Sequence, residues 1–209
     1  MSMGLARRLR EGTWALHTTT ERAGIMPALL RGQLPLARFT ALQRGLLAIY
    51  QPLEAGLQAH AGHPLLAPLQ LAPLARSAAL QADLALLAGP AWADLPPAAA
   101  ATAYADRLQA VAQQQPALLA AHAYVRYLGD LAGGQALARV ARQAYQLDGS
   151  AGTGFYDFGP PPQVQQLAQG LRQALDALPL DEPAAQALVA EAQWSFSQHA
   201  RLFEELAGG

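Results

Sequence analysis

Arg10, Trp14, His17 and Glu21 recur at spacings of i, i+4, i+7 and i+11, which on an α-helix gathers them on one narrow face. A histidine followed one turn later by a carboxylate suits metal ligation, because a ligating imidazole donates its other ring N–H to an acceptor. The same pair serves equally as an ordinary, partly buried histidine beside an acid. A second cluster lies in "AYVRYLGDLAGGQAL", residues 123–137. A run of helical composition there carries Gly129, Gly133 and Gly134 around Asp130, at a cost of about 1 kcal/mol per glycine relative to alanine. Gly129 and Gly133 fall on nearly one face with Gly134 beside them, and Arg126 and Asp130 share that arc. Two readings compete. A neighbouring helix crosses closely over the glycines while Asp130 pairs with Arg126 at i,i+4, or a flat ligand lies against bare backbone with Asp130 at its edge.

Other metal chemistry finds little footing. His60 and His63 sit in the loop-like "AHAGHP" with no third ligand of suitable type nearby, and His122 and His199 stand isolated. The chain has neither the paired Glu-x-x-His of di-iron bundles nor His-Glu-x-x-His. It has no cysteine, which excludes disulfides, zinc–thiolate sites, iron–sulfur clusters and thiol nucleophiles. A single axial histidine needs no such cluster when the remaining ligands come with a macrocycle. That joins the two halves as a haem held by His17 and sandwiched between its helix and the glycine-opened helix.

The elements that must position these residues read as helices. Of 209 residues, 52% are apolar and only 14% charged, against ~25% charged in an ordinary domain. Alanine, leucine, glutamine and arginine dominate, and β-branched runs are almost absent, which favours helix. The pattern predicts a helix from Leu5 to Ala23 ended by Gly24, and another after Pro35 with Pro52 as a kink. A connector, "AGHPLLAPLQLAP", leads to a third in "LARSAALQADLALLAG", with "PAWADLPP" as a turn. Further helices are expected from Ala98 to Gln114, Pro116 to Tyr145, Val164 to Leu178 and Pro183 to Leu206. "DGSAGTGFYDFGPPP" is the most loop-like segment. No repeat or long linker divides the chain, so the expected fold is all-α, a multi-helix globule in one domain over 1–209.

The net charge of −1 and a pI near 6.5 argue against nucleic acid as a general partner. No stretch reaches the ~20 apolar residues of a membrane span, and "MSMGLARRLREGTWALH" lacks an apolar signal region. A cytoplasmic protein is the expectation.

At this point the residues carry a family likeness. "LREGTWALHTTTE" together with "AHAYVRYLGDLAGGQ" resembles haem oxygenase, supported in order by "AIYQPLE", "LQADLALLAGPAW" and the closing "WSFSQHARLFEEL". The resemblance implies a haem-oxygenase-like fold with haem between a proximal and a glycine-rich distal helix. It implies His17 as proximal iron ligand, with Glu21 holding the far ring nitrogen. Gly129 and Gly133 match the distal glycines, Asp130 the distal carboxylate that organises water there, and Tyr50 a tyrosine of that network. Tyr124, Arg172 and Arg10 match groups that meet the propionates. Phe196 and Phe203 fall where aromatic pocket walls are expected. Two positions depart from the family: Ala168 and Trp14 stand where lysines are common near the propionates, which thins the basic rim. Cleavage at the α-meso carbon is the expected outcome.

The activity implied is O2-dependent conversion of haem, both substrate and cofactor, to biliverdin, carbon monoxide and ferrous iron. Electrons would come from a ferredoxin, flavodoxin or similar reductase, and a monomer is expected. The alternative is a haem storage or transfer protein without turnover, which does not need Asp130 so close to the glycines. Helical proteins acting on thiamine or its precursors are a second rival, but their thiaminase-like members use a cysteine. A purely structural helical protein leaves the ordered motifs unexplained.

Overall fold

The computed structural model describes residues 3–208 and contains no strand among them, giving the all-α class expected. Among the described residues there are nine α-helices: α1 (Leu5–Thr20), α2 (Met26–Leu30), α3 (Leu36–Ala59), α4 (Ser77–Ala88), α5 (Ala99–Gln114), α6 (Leu119–Ala123), α7 (Gly129–Tyr145), α8 (Pro161–Asp176) and α9 (Glu182–Gly208). Short 3₁₀ turns fill the connectors, including Pro90–Asp94 in the predicted turn. No helix among the described residues is long and apolar enough to cross a membrane.

α1 is fastened at several points. The Asp176 carboxylate at the end of α8 accepts from the Ala6 N–H at 2.8 Å, satisfying one of the donors a helix start leaves free. Arg8 pairs with Glu182 at the start of α9. Along its length α1 lies against α9, with the Gln193 amide donating to the Gly12 carbonyl at 2.8 Å. A Cβ on Gly12 would fall 2.6 Å from Val189 Cγ1, so a glycine is what allows this approach. α1 ends at Thr20 rather than at Ala23. The chain then turns through Gly24, whose φ of +46° is left-handed and whose Cβ would meet the Phe203 carbonyl oxygen at 1.9 Å. Ile25 N–H donates to that same carbonyl at 3.2 Å. The turn is thereby spliced onto α9, and the unpredicted α2 follows it.

α3 continues unbroken through Pro52, so the expected kink does not divide it. The predicted helix from Pro116 to Tyr145 is not uniform. A 3₁₀ turn at Pro116–Leu118 precedes α6, and a π-helical turn, Tyr124–Leu128, joins α6 to α7. Such a turn inserts one extra residue into the helix and recurs at functional sites. Here it is held by the interior hydrogen bonds of Arg126, which sequence periodicity does not register.

The segment that reads as loop is interior in its middle part. Thr153, Phe155, Tyr156 and Phe158 are buried. Buried Asp83 on α4 accepts from the Gly154 and Phe155 N–H groups at 2.9 and 2.8 Å, pinning a 3₁₀ turn over Gly154–Tyr156. Phe155 is then set edge-on to Tyr50 of α3, with ring centroids 5.4 Å apart.

Candidate active site

A cavity of about 810 Å³ opens between α1 and the run formed by the π turn and α7, within the about 300–1,000 Å³ typical of small-molecule sites. α2 contributes Met26 and Leu29, α8 Arg172, and α9 Phe196, His199 and Phe203.

The α1 wall bears Arg10, Trp14, His17 and Glu21, the face expected from their spacing. His17 Nδ1 lies 3.7 Å from Glu21 Oε2, with both side chains about half exposed. Trp14 stacks parallel to the imidazole, with an interplanar angle of 2°. Phe196 approaches edge-on at 5.7 Å between ring centroids. Of the candidate pocket aromatics, both Phe196 and Phe203 line the cavity.

On the facing wall, Gly129, Asp130 and Gly133 also line it. A Cβ on Gly129 or Gly133 would meet nothing within 4 Å, whereas one on Gly134 would press on Tyr156 at 3.3 Å. The glycines thus divide the work: Gly134 admits a neighbouring element, while Gly129 and Gly133 leave bare backbone beside open space. Both readings of the stripe hold in part, since Asp130 is also paired with Arg126.

That pair belongs to a buried network. Arg126 donates from Nη2 to Asp130 Oδ1 at 2.9 Å, from Nε to the Tyr50 hydroxyl at 3.2 Å, and from Nη1 to His199 Nε2 at 2.9 Å. The Tyr50 hydroxyl donates to Asp130 Oδ2. Tyr50 is fully buried behind the wall rather than on the cavity surface, so it acts on the cavity through Asp130 and Arg126. Burial pushes the Asp130 carboxyl above its ordinary value, against the pull of Arg126 and the Tyr50 hydroxyl. Burial likewise pushes the Tyr50 hydroxyl well up, so it stays protonated and able to donate.

At one end of the cavity, Tyr124 meets Thr13 with Arg172 and Arg10 near enough to act on its hydroxyl. Burial raises that hydroxyl while these three lower it. Two guanidiniums and a phenol at one rim suit a ligand carrying carboxylates. Ala168 is buried and supplies no charge.

Sequence spacing leaves His122 and His199 isolated, but the fold joins them. Tyr104 on α5 reaches His122 Nδ1 at 2.9 Å and also bonds Ser195 Oγ. His122 Nε2 lies 3.0 Å from Glu191 Oε1, and Arg107 donates to the same carboxylate at 3.0 and 2.6 Å. Burial opposes the Glu191 anion, yet the hydrogen bonds from His122 and Arg107 prevail and hold it at about 2. Burial lowers both histidines below their ordinary value. No local signal marks these residues; a polar residue repeatedly placed on an otherwise apolar helix face is the only trace.

The model of the "Heme oxygenase" family matches residues 3–205. The chain is 38% identical over 203 residues to the heme oxygenase of Pyropia yezoensis, covering 97% of this chain and 85% of that protein. It is 37% identical to heme oxygenase 1 of Synechocystis sp., over 100% of this chain and 87% of the relative. Among solved structures, heme oxygenase-2 from Synechocystis in complex with heme and NO superposes with a TM-score of 0.94 at 36% identity, covering 98% of this chain and 85% of that one. Heme oxygenase from Leptospira interrogans gives 0.92 at 33% identity, covering 97% and 100%. With nearly its whole length matched by model, relatives and structures alike, the chain belongs to the haem oxygenase family.

Proposed function

We propose that the chain, as one haem oxygenase domain over residues 1–209, opens the haem ring with O2 and external electrons. Biliverdin, carbon monoxide and ferrous iron are the products. The observation that supports this reading is the opposition of His17 to Asp130 across a cavity whose far wall carries no side chain at Gly129 and Gly133. A flat, largely apolar ring with two carboxylates at one edge and a metal at its centre matches these walls: open backbone, a histidine, and the Arg10–Tyr124–Arg172 rim. When bound, haem supplies the iron that activates oxygen and is itself the substrate, oxidised at a meso carbon of its own ring.

The chain's own residues steer that chemistry. His17 offers a ring nitrogen to the iron, and Glu21 beside Nδ1 orients the imidazole and raises its basicity. Arg10, Arg172 and Tyr124 bind the propionates and fix the in-plane rotation, which selects the meso carbon presented. Trp14, in a position where the family often has a lysine, bears no charge and leaves that selection to these three. Bare backbone at Gly129 and Gly133 lets α7 lie close over the ring and restricts the directions left for reaction. Asp130 has both oxygens engaged, by Arg126 and Tyr50. It therefore handles protons through water rather than by direct contact. Phe196 and Phe203 exclude bulk solvent from the His17 side.

A ferredoxin, flavodoxin or similar reductase supplies the electrons in this scheme, and the protein works as a cytoplasmic monomer. The test is a visible spectrum of the protein with one equivalent of haem, followed after ascorbate addition in air. A sharp Soret band decaying into the broad red absorption of biliverdin is expected. A Soret band that persists with a competent enzymatic reductant would instead mark a haem carrier. No band at all would remove His17 from any role in ligation.

A further inference from the structure

We propose that His199 is a positioning residue that aims Asp130 through Arg126, and that it does so as one obligatory tautomer of the neutral ring. The inference rests on the role given above to Asp130 but concerns a residue two contacts away from the cavity carboxylate.

Donor and acceptor chemistry forces the assignment. A guanidinium only donates, so the His199 Nε2 atom 2.9 Å from Arg126 Nη1 must carry a lone pair. A carbonyl only accepts, so the Nδ1 atom 2.8 Å from the Ser195 oxygen must carry the proton. Both ring nitrogens are thereby fixed in opposite senses, and His199 is almost fully buried. A second proton on the ring would set N–H against N–H and leave Arg126 without its acceptor. The groups facing His199 reinforce this: Arg126 from the π turn and Tyr104 from α5, with His122 of α6 next. Tyr104 stands edge-on with ring centroids 5.1 Å apart. Beyond Arg126 lie Asp130 and Tyr50, and beyond His122 lies Glu191.

The consequence for the cavity follows from the shape of the guanidinium. Its Nε, Nη1 and Nη2 each hold one partner, from α3, α9 and α7 respectively. Three bonds in one plane fix both the place and the tilt of the fork, and the fork fixes Asp130 Oδ1. Without His199 the plane turns about the remaining two contacts, and the carboxylate turns with it. The chain of contacts is not a proton wire. Arg126 does not deprotonate, and the link from His199 to Ser195 runs through a backbone carbonyl. Its function is geometric.

The experiment compares the unaltered protein with His199→Gln, whose amide oxygen can replace the Nε2 acceptor, and His199→Leu, which has none. First, ¹⁵N NMR of the haem-free protein at neutral pH is expected to show His199 protonated at Nδ1 and bare at Nε2. Second, ¹³C titration of the Asp130 carboxyl in the haem-free proteins is expected to shift its midpoint in His199→Leu and to restore it in His199→Gln. Third, with haem and a reductase, His199→Leu should keep haem affinity within about twofold. Its biliverdin yield should fall on the order of 10- to 100-fold, as a misplaced group costs, with Gln recovering most of it. An Nε2-protonated ring, an unmoved Asp130 midpoint in a folded Leu variant, or equal defects in folded Gln and Leu variants would each overturn the proposal. Should the Leu variant not fold, the tautomer and the Gln variant decide it. Absence of turnover in the unaltered protein would count against the role of Asp130 in catalysis, while the two haem-free measurements still test His199.

Discussion

On one side of the cavity, His17 and Glu21 come from a single helix, one turn apart and half exposed to solvent. On the other, Asp130 is held by Tyr50 from α3 and Arg126 from the π turn, with His199 of α9 behind, all largely buried. The first arrangement needs only a helix that sits in the right place, so its geometry survives wherever α1 survives. The second exists only when three distant segments, α3, the π turn with α7, and α9, have packed, and its polar groups must satisfy one another because bulk solvent is largely excluded from them. The ligand-holding wall is therefore local and replaceable piece by piece, and the proton-handling wall is collective.

That contrast can be broken or sharpened by substitution. The largest effect is expected from His17→Ala, with biliverdin formation falling to background and the ferrous–CO Soret band altered. An unchanged ferrous–CO spectrum would show that the iron is held elsewhere. Asp130→Ala should keep haem binding yet lose on the order of 10²- to 10⁴-fold in biliverdin formation, the range of a positioned proton donor. Normal yield from that variant would remove its role.

Stability should separate the walls as well. Glu191→Ala leaves buried His122 without its acceptor, and a buried donor left unsatisfied costs about 1–3 kcal/mol, readable as a lowered denaturation midpoint. Acid acts on the same region. His122 and His199 titrate lower folded than unfolded, so their contribution is present above about pH 6.5, the free histidine value, and is lost as pH falls below it. Glu191, held at about 2, adds a contribution present above its ordinary range and lost as pH drops from there toward 2. Thermal stability should fall in those two stages, and a curve flat from pH 7 to 4 would contradict the collective picture.

Two glycine substitutions give a smaller, diagnostic pair. Gly24→Ala should destabilise by about 2 kcal/mol or more, since it adds a Cβ at positive φ against the Phe203 backbone. Gly129→Ala should be neutral or slightly stabilising in the haem-free protein and should weaken haem binding. Smallest of all, Glu21→Ala should lower activity about tenfold, at the mild end of what loss of a ligand's support costs. Measured haem affinity and turnover would check both.

What the sequence makes legible follows the same divide. The α1 face and the glycine stripe repeat with helical period, so Arg10, Trp14, His17, Glu21, Gly129, Asp130 and Gly133 can be grouped before any fold is known. Arg126 and His199 stand 73 positions apart, and no periodicity links them. Asp83 reads as one acid in an apolar helix, and only the packed turn at Gly154 and Phe155 gives it a purpose. Family likeness, not spacing, points to Tyr50, whose hydroxyl meets Asp130 across 80 positions. Helix ends were legible to within a few residues. The π turn was not, because its cause lies in side-chain partners outside the helix.

That turn has a consequence for how this chain can change. Its extra residue offsets everything that follows by about 100° of helical rotation relative to an unbroken α-helix. Were ordinary α-helix to re-form over Tyr124–Leu128 with the length of the segment unchanged, the residues that follow would swing by that angle. Asp130 and both bare glycines would then point along the flank instead of into the cavity. In this stretch a substitution that releases the Arg126 bonds and lets the regular helix return turns the cavity face away, whereas loss of one residue would remove the offset itself and leave that face in place.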